Sequence, residues 1–317
     1  MGLIHDVLKI LADGEQHSGV ALAERLSVTR AAISKAVAGL TDVPITVDRK
    51  GYALPTAFRP LDEARITRFL GDCGCALDHL WVLAEVDSTN RFLLAAQHHG
   101  VCACLAERQT AGRGRRGRAW QATPYGNVML SVGLTLRGMA EPPGVLSLGA
   151  GVAVARVLRT LGVQDTALKW PNDVLWQARK LAGVLIEMRG EPEAMRVVVG
   201  VGLNGTMGQK AAAAIDQPWV DLRGILPTVD RDYIAALLIA EILAVMADYR
   251  RGATGAILDE WRAHHALAGV RVSVHTTAEI APCIGVIQDI NEEGALMLTV
   301  AGETRVVRSG EVSVRPL

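Results

Sequence analysis

Eight consecutive residues, Arg196-Val197-Val198-Val199-Gly200-Val201-Gly202-Leu203, carry one polar side chain among them. A strand of that composition is stable only with both faces covered, which places it centrally in a sheet. Residues 145–161 read as a long, apolar, buried helix able to supply cover. Short apolar stretches at 80–86, 101–106 and 127–136, then at Leu168, 174–176 and 180–188, read as further strands. Ser88 is placed to cap a helix that buries Phe92, Leu93 and Ala96. Residues 231–249 and 254–264 are helical in period, and 205–214 read as a mobile loop of small residues.

The two ends of the chain have different patterns. In residues 1–60, Leu3, Val7, Leu8 and Leu11 fall at helical spacing, and Asp13-Gly14 stops that helix. Ser18 caps a second helix expected to bury Val20, Leu22, Ala23 and Leu26. After the turn Ser27-Val28-Thr29, Ile33, Val37 and Leu40 line a third helix, and Thr29, Arg30, Ser34 and Lys35 occupy its other face. A hairpin follows with Asp48-Arg49-Lys50-Gly51 at its tip, and Pro55 and Pro60 bracket a linker. Residues 267–317 alternate with period two between turns such as Asn291-Glu292-Glu293-Gly294, Ala301-Gly302 and Ser309-Gly310, the pattern of a small β-barrel.

Composition excludes some functions. Lys plus Arg and Asp plus Glu both total 33, so affinity for nucleic acid must come from a local patch. The five cysteines include the pairs Cys73/Cys75 and Cys102/Cys104, and they lack the spacing of a disulfide framework or zinc site. Reduced cysteines in a cytoplasmic protein are expected. No signal peptide or membrane span is read; the apolar run at 234–246 is short and interrupted by Glu241. His98-His99 and His264-His265 read as solvated helix ends.

Three segments can carry chemistry. In Gly112-Arg113-Gly114-Arg115-Arg116-Gly117-Arg118, glycines permit close backbone approach and arginines supply forked donors for carboxylate or phosphate oxygens. Taken alone, the run equally suits a solvated basic loop or a non-specific nucleic-acid patch. Lys169-Trp170-Pro171-Asn172-Asp173 reads as a strand end whose Asn and Asp can bond backbone, a base edge or hydrated Mg²⁺. Arg179-Lys180-Leu181-Ala182-Gly183 sets a lysine beside an apolar strand, either to snorkel or to face a phosphate. Ser88-Thr89-Asn90 offers hydrogen bonds to a neutral polar ring; nothing nearby would make Ser88 a nucleophile.

Together with Glu85-Val86-Asp87-Ser88-Thr89-Asn90, Gln109-Thr110-Ala111 ahead of the Gly-Arg run, Ala119-Trp120 after it, and Gly200-Val201-Gly202-Leu203-Asn204, these segments resemble the bifunctional biotin protein ligase and biotin-operon repressor of bacteria. The resemblance covers nearly the whole chain. It implies an α+β chain: a winged helix-turn-helix at 1–60, a class II synthetase-like catalytic unit with a mixed sheet at 61–266, and an SH3-like barrel at 267–317. It implies an enzyme that joins biotin to AMP from ATP, with Mg²⁺, and passes biotin to a lysine of a biotin carboxyl carrier protein.

By position, Ser88, Thr89, Asn90 and Gln109 are the implied biotin ring contacts. Arg113, Gly114 and Arg115 form the implied loop over biotin and its adenylate. Lys180 is the implied lysine between the biotin carboxylate and the α-phosphate, with Arg115 as its catalytic companion. Arg113, Arg115, Arg118, Asn172, Lys180 and Asn204 are implied nucleotide contacts. Trp219 resembles the aromatic beside the adenine, and its context fits a core role as well. The amino-terminal resemblance implies operator DNA read by Thr29, Arg30, Ala31, Ser34 and Lys35, with Arg49 and Lys50 on phosphates. It also implies a homodimer. Two features depart from the pattern: the connection Thr41-Asp42-Val43-Pro44 is short, and Asp48 puts an acid on the wing. The alternatives are a non-catalytic biotin-sensing transcription factor, a lipoate or octanoate ligase, and an RNA-binding protein.

Overall fold

Three short helices open the chain: α1 (Leu3–Leu11), α2 (Gly19–Arg25) and α3 (Arg30–Ala38). Ser18 Oγ accepts from Ala21 N at 3.1 Å, the cap that the sequence predicts, and Thr29 Oγ1 accepts from Ala32 N at 3.1 Å, a cap on α3 that had not been predicted. Leu8, Leu11, Leu22, Ile33 and Val37 make the core of this unit. Val20 was expected inside and instead faces solvent, because the buried stripe of α2 runs through Gly19, Leu22 and Ala23. The hairpin of β1 (Thr46–Val47) and β2 (Tyr52–Ala53) follows. Asp48 Oδ1 accepts from Lys50 N, Gly51 N and Gln16 Nε2, so this acid is spent on building the turn. One member of this core comes from far along the chain: Tyr125 is buried among these side chains and stacks on His5.

The structure, a computed structural model, describes residues 2–40, 43–55, 58–98, 100–137, 143–191, 193–276, 282–309 and 312–317. Thr41 and Asp42 of the short connection, His99 and the turn residue Gly310 therefore lie outside the described residues.

The middle of the chain runs α4 (Glu63–Asp72), β3 (His79–Leu83), α5 (Thr89–Ala95), β4 (Cys102–Ala106), β5 (Val128–Leu136), α6 (Pro143–Thr160), β6 (Thr166–Lys169), β7 (Asp173–Trp176), β8 (Arg179–Glu191) and β9 (Ala194–Leu203). Then come α7 (Gln209–Ala213), α8 (Arg231–Arg250) and α9 (Gly255–Ala263). The strands form one mixed sheet in the order β3-β4-β5-β9-β8-β7-β6, with β3 and β4 parallel and the other pairs antiparallel. The apolar strand β9 is its middle strand, as its composition demands. Val197, Val199, Val201 and Leu203 face the large core under α6 and α8, whereas Val198 faces a small cluster with Leu93 of α5. Helix α4 had not been recognised, because Ile66, Phe69 and Leu70 are its only large apolar residues. Residues 205–214 contain the short helix α7 and are not simply a loop.

A buried ion pair ties the linker to this frame. Glu107 is fully buried and takes two hydrogen bonds from Arg231 at 2.6 and 3.1 Å; Arg231 also donates to Arg59 O at 2.6 Å. Strands β10 (Arg271–Thr276), β11 (Cys283–Ile290), β12 (Leu296–Val300), β13 (Glu303–Val307) and β14 (Val312–Pro316) form a second, antiparallel sheet in the order β13-β12-β11-β10-β14. Its inner residues, among them Val272, Ile287 and Leu296, join the large core. Trp170 Nε1 donates to Gly294 O at 3.0 Å and fixes this sheet against the turn after β6. No helix among the described residues is long and apolar enough to cross a membrane.

Candidate active site

A cleft of about 760 Å³ opens on the α5 face of the large sheet. Its floor is made by missing side chains. A Cβ on Gly200 would lie 2.3 Å from Asn90 Oδ1, and one on Gly202 would lie 2.3 Å from the Trp120 ring. A Cβ on Gly183, opposite Gly202 in the ladder, would lie 3.1 Å from the same ring. The Gly-x-Gly of β9 therefore alternates between core-facing valines and bare backbone on which Asn90 and Trp120 rest.

One end of the cleft is a neutral hydrogen-bonding cluster. Ser88, Thr89 and Asn90 are buried at the start of α5. Ser88 occupies the cap position, but its side chain makes no cap bond, contrary to expectation. Gln109 Oε1 accepts from Thr89 N at 2.8 Å and from Thr89 Oγ1 at 3.2 Å. Ser131 Oγ lies 2.7 Å from Thr89 Oγ1 and 2.6 Å from Asn90 Oδ1. Hydroxyls and amides fixed this way present donors and acceptors without net charge.

The other end is cationic, and a bulge builds it. On β8, Lys180 pairs with Leu175 and Ala182 with Val174, which leaves Leu181 as the extra residue. Strict alternation would point Lys180 to the core side with Ala182 and Val184; the bulge turns it to the side of Gly183. There its Nζ lies 2.7 Å from Asp173 Oδ1 and 5.4 Å from the centroid of Trp120. Asn172 Nδ2 donates to Val184 O at 2.7 Å, and Asn172 Oδ1 faces Arg115 Nη1 at 3.5 Å. Burial draws Arg115 below its ordinary pKa, opposed by Asp173. Burial likewise lowers Lys169, which lines the same end.

The Gly-Arg loop closes on itself, with Gly114 N donating to Arg118 O at 2.7 Å and Trp120 N to Gly112 O at 3.0 Å. Arg113, Gly114, Arg115 and Arg118 all line the cleft. Asn204 is buried, and its Nδ2 donates to Val220 O at 3.0 Å and to Lys180 O at 3.4 Å. It thus fastens the 218–220 strap beside Lys180 as well as lining the cleft. Half-buried Trp219 lies on that strap, in a bridge with Lys180. The cleft so gathers every catalytic, biotin and nucleotide candidate named from the sequence.

Sequence reasoning missed Asp173 as the partner of Lys180, Trp120 as a wall, Ser131 and Glu187 as links, and Arg315 of β14 at the rim. Trp120 and Asp173 stood inside quoted motifs. Ser131, Glu187 and Arg315 reach the site through strand pairing and had no local signal. Two histidines are not solvated as expected: His264 bonds Arg159 and Glu260 O, and His265 packs on Trp261 with its pKa pushed down to about 4 by burial. The five cysteines are free thiols, with Cys102 and Cys104 buried in β4. The described residues contain no group of three or more His, Cys, Asp or Glu able to hold a metal ion.

Comparison with known proteins places this geometry. The chain is 38% identical over 318 residues to the bifunctional ligase/repressor BirA of Salmonella typhimurium, covering 98% of this chain and 96% of that protein. The chain belongs to the bifunctional biotin protein ligase/repressor family. Residues 82–204 match the biotin/lipoate A/B protein ligase family model, and residues 4–53 match an HTH domain model. The biotin–[acetyl-CoA-carboxylase] ligase of Mycobacterium tuberculosis is 38% identical over 261 residues, covering 80% of this chain and 95% of that one. Among solved structures, the biotin protein ligase of Aquifex aeolicus in complex with biotin and ATP aligns with a TM-score of 0.64 at 25% identity, over 76% of this chain and all of that one. This family member is a biotin ligase carrying a helix-turn-helix repressor module. On that module Thr29, Arg30, Ala31, Ser34 and Lys35 lie exposed on α3, and Arg49 and Lys50 lie exposed on the hairpin tip.

Proposed function

We propose that this protein condenses biotin with ATP in the cleft and transfers the biotinyl group to a lysine of a biotin carboxyl carrier protein. The observation that carries the assignment of roles is the polarity of the cleft, with a neutral amide–hydroxyl cluster at one end and Lys180, Arg115 and Arg118 at the other. The ureido ring of biotin fits Ser88, Thr89, Asn90 and Gln109. Its carboxylate then points along the cleft toward Lys180 at the cationic end. Arg113, Gly114 and Arg115 cover it, and Arg115, Arg118, Asn172, Asn204 and Trp219 take the nucleotide.

The chemistry needs cations more than it needs a protein nucleophile. A carboxylate oxygen attacks the α-phosphorus, and the bond to the β-phosphate oxygen breaks, releasing pyrophosphate. Two unit negative charges about 4 Å apart repel by roughly 4 kcal/mol at an effective dielectric near 20. Lys180 and Arg115 offset that repulsion and stabilise charge on the leaving group. Asp173 aims the Lys180 ammonium. The acceptor amine then attacks the acyl carbon and AMP leaves. Mg²⁺ fits as the ATP complex, since this hard cation takes one or two carboxylates with phosphate oxygens and Asp173 is a carboxylate lining the cationic end. In that form it would screen the polyphosphate charge.

The exposed residues of α3 and the hairpin tip suit operator DNA, with a cytoplasmic homodimer presenting two such units to a palindrome. Incubation with biotin and Mg-ATP, followed by mass spectrometry of the bound product, tests the catalytic reading; biotinyl-adenylate is expected. Lys180→Ala should lower biotin-dependent ATP–pyrophosphate exchange by about 10³-fold, the scale of losing a transition-state charge contact, with unchanged circular dichroism. A Lys180→Ala protein that exchanges at the wild-type rate overturns the role given to this lysine.

A further inference from the structure

Glu187 of β8 joins the two parts of the cleft that must act together. Its Oε2 accepts from Asn90 Nδ2 at 2.9 Å, and its Oε1 accepts from Arg113 Nη1 at 2.8 Å. Asn90 is in turn bonded to Ser131, Ser131 lies against Thr89, and Thr89 bonds Gln109. An unbroken chain of polar contacts therefore runs from the neutral floor through one carboxylate into the Gly-Arg loop. Glu187 is four-fifths buried, whereas about half of Arg113 is exposed, so the anchor is the rigid partner and the loop the movable one. The backbone bonds from Gly114 to Arg118, from Arg118 to Arg115 and from Trp120 to Gly112 hold the loop's shape, and Ala111 N to Asp87 O at 2.9 Å fastens only its start. A hydrogen bond between ions is about twice as strong as a neutral one, so the Arg113–Glu187 pair is well suited to hold the loop down.

We propose that Glu187 is a positioning residue that latches the 112–118 loop onto the cleft and ties its closure to the ring-binding floor. This rests on the ligase reading above for its consequence, retention of the adenylate, but not for the latch itself. Glu187→Gln keeps shape and an acceptor for Asn90 while removing the charge that holds Arg113. The full-length protein is compared with Glu187→Gln, Arg113→Ala and the double variant in two assays. Hydrogen–deuterium exchange without ligand should rise several-fold at Gly114 and Trp120 in each variant, with β8 and β9 unchanged. The half-life of biotinyl-adenylate formed on the protein from biotin and Mg-ATP should shorten about tenfold, the double variant being no worse than either single, as residues acting through one contact require. Equal loop exchange in wild type and Glu187→Gln overturns the latch, as does an increase spread evenly over β8 and β9. Additive losses of half-life in the double variant overturn it too. If wild type forms no adenylate, the ligase reading fails, and the ligand-free exchange still decides the latch.

Discussion

Gly202→Ala tests whether the cleft depends on a floor of bare main chain. The added Cβ would sit 2.3 Å from Trp120 Cε2, 2.5 Å from Cζ2 and 2.8 Å from Nε1. Carbon–carbon contact begins near 3.5 Å, so the ring must retreat by about 1.2 Å. Its retreat disturbs its neighbours, because its backbone N is bonded to Gly112 O and Lys180 Nζ stands 5.4 Å from its centroid. Overpacking of this kind costs about 1–3 kcal/mol, which lowers the midpoint of thermal unfolding by several degrees without unfolding the sheet. The effect on function is larger, because Lys180 Nζ stands over the same ring. A displacement near 1 Å at a reacting group costs up to about 100-fold in rate. Biotin-dependent ATP–pyrophosphate exchange should therefore fall by about that factor in Gly202→Ala, with the far-ultraviolet spectrum unchanged. In a Trp120→Ala background the clash is gone, and adding Gly202→Ala should change little further. Wild-type exchange in Gly202→Ala, or an equal additional loss in the double variant, refutes the reasoning.

Three other outcomes follow from the geometry. Glu107→Gln leaves Arg231 as an uncompensated buried charge and should cost about 3–5 kcal/mol in reversible urea unfolding; a cost below 1 kcal/mol would show that Glu107 is not paired as described. His265 is held neutral by burial, with a folded value of about 4 against 6.5 unfolded, so the unfolded chain binds the extra proton between these values. Its contribution is complete above pH 6.5 and is lost as pH falls toward 4, by at most about 3 kcal/mol. His265→Phe should flatten the pH dependence of unfolding in that window, and an unchanged profile removes His265 as its source. On the hairpin tip, Arg49→Ala should weaken DNA binding almost equally across sequences and reduce the salt slope by about 1; a change confined to one base position would make Arg49 a base contact.

What could be read beforehand was whatever the chain states locally. Ser18 announces its helix because a cap needs only three residues of context. The valines of β9 announce a central strand, because a run so apolar needs both faces covered. The motif residues of the cleft were legible since each kept its quoted neighbours. The turn of Lys180 toward the site was not, because a bulge exists only relative to the partner strand. Nor was the meeting of Asn90 with Glu187, residues 97 apart, since it depends on how α5 lies across β8. Helix α4 escaped notice because its few apolar residues, Ile66, Phe69 and Leu70, lie among polar ones, even though Asp62 caps it locally through Arg65 N at 2.9 Å.

Tyr125 gives the molecule a shared joint. Its ring completes the interior of the amino-terminal helices, while its own turn is stitched to the stretch before α7 by Thr206 N to Gly126 O at 2.9 Å and Gly208 N to Thr123 Oγ1 at 2.7 Å. Severing the chain after Pro60 would thus uncover a hole on one fragment and a greasy knob on the other. The module that reads DNA and the module that handles the vitamin are keyed together like tenon and mortise, and neither can be lifted out without leaving its neighbour incomplete.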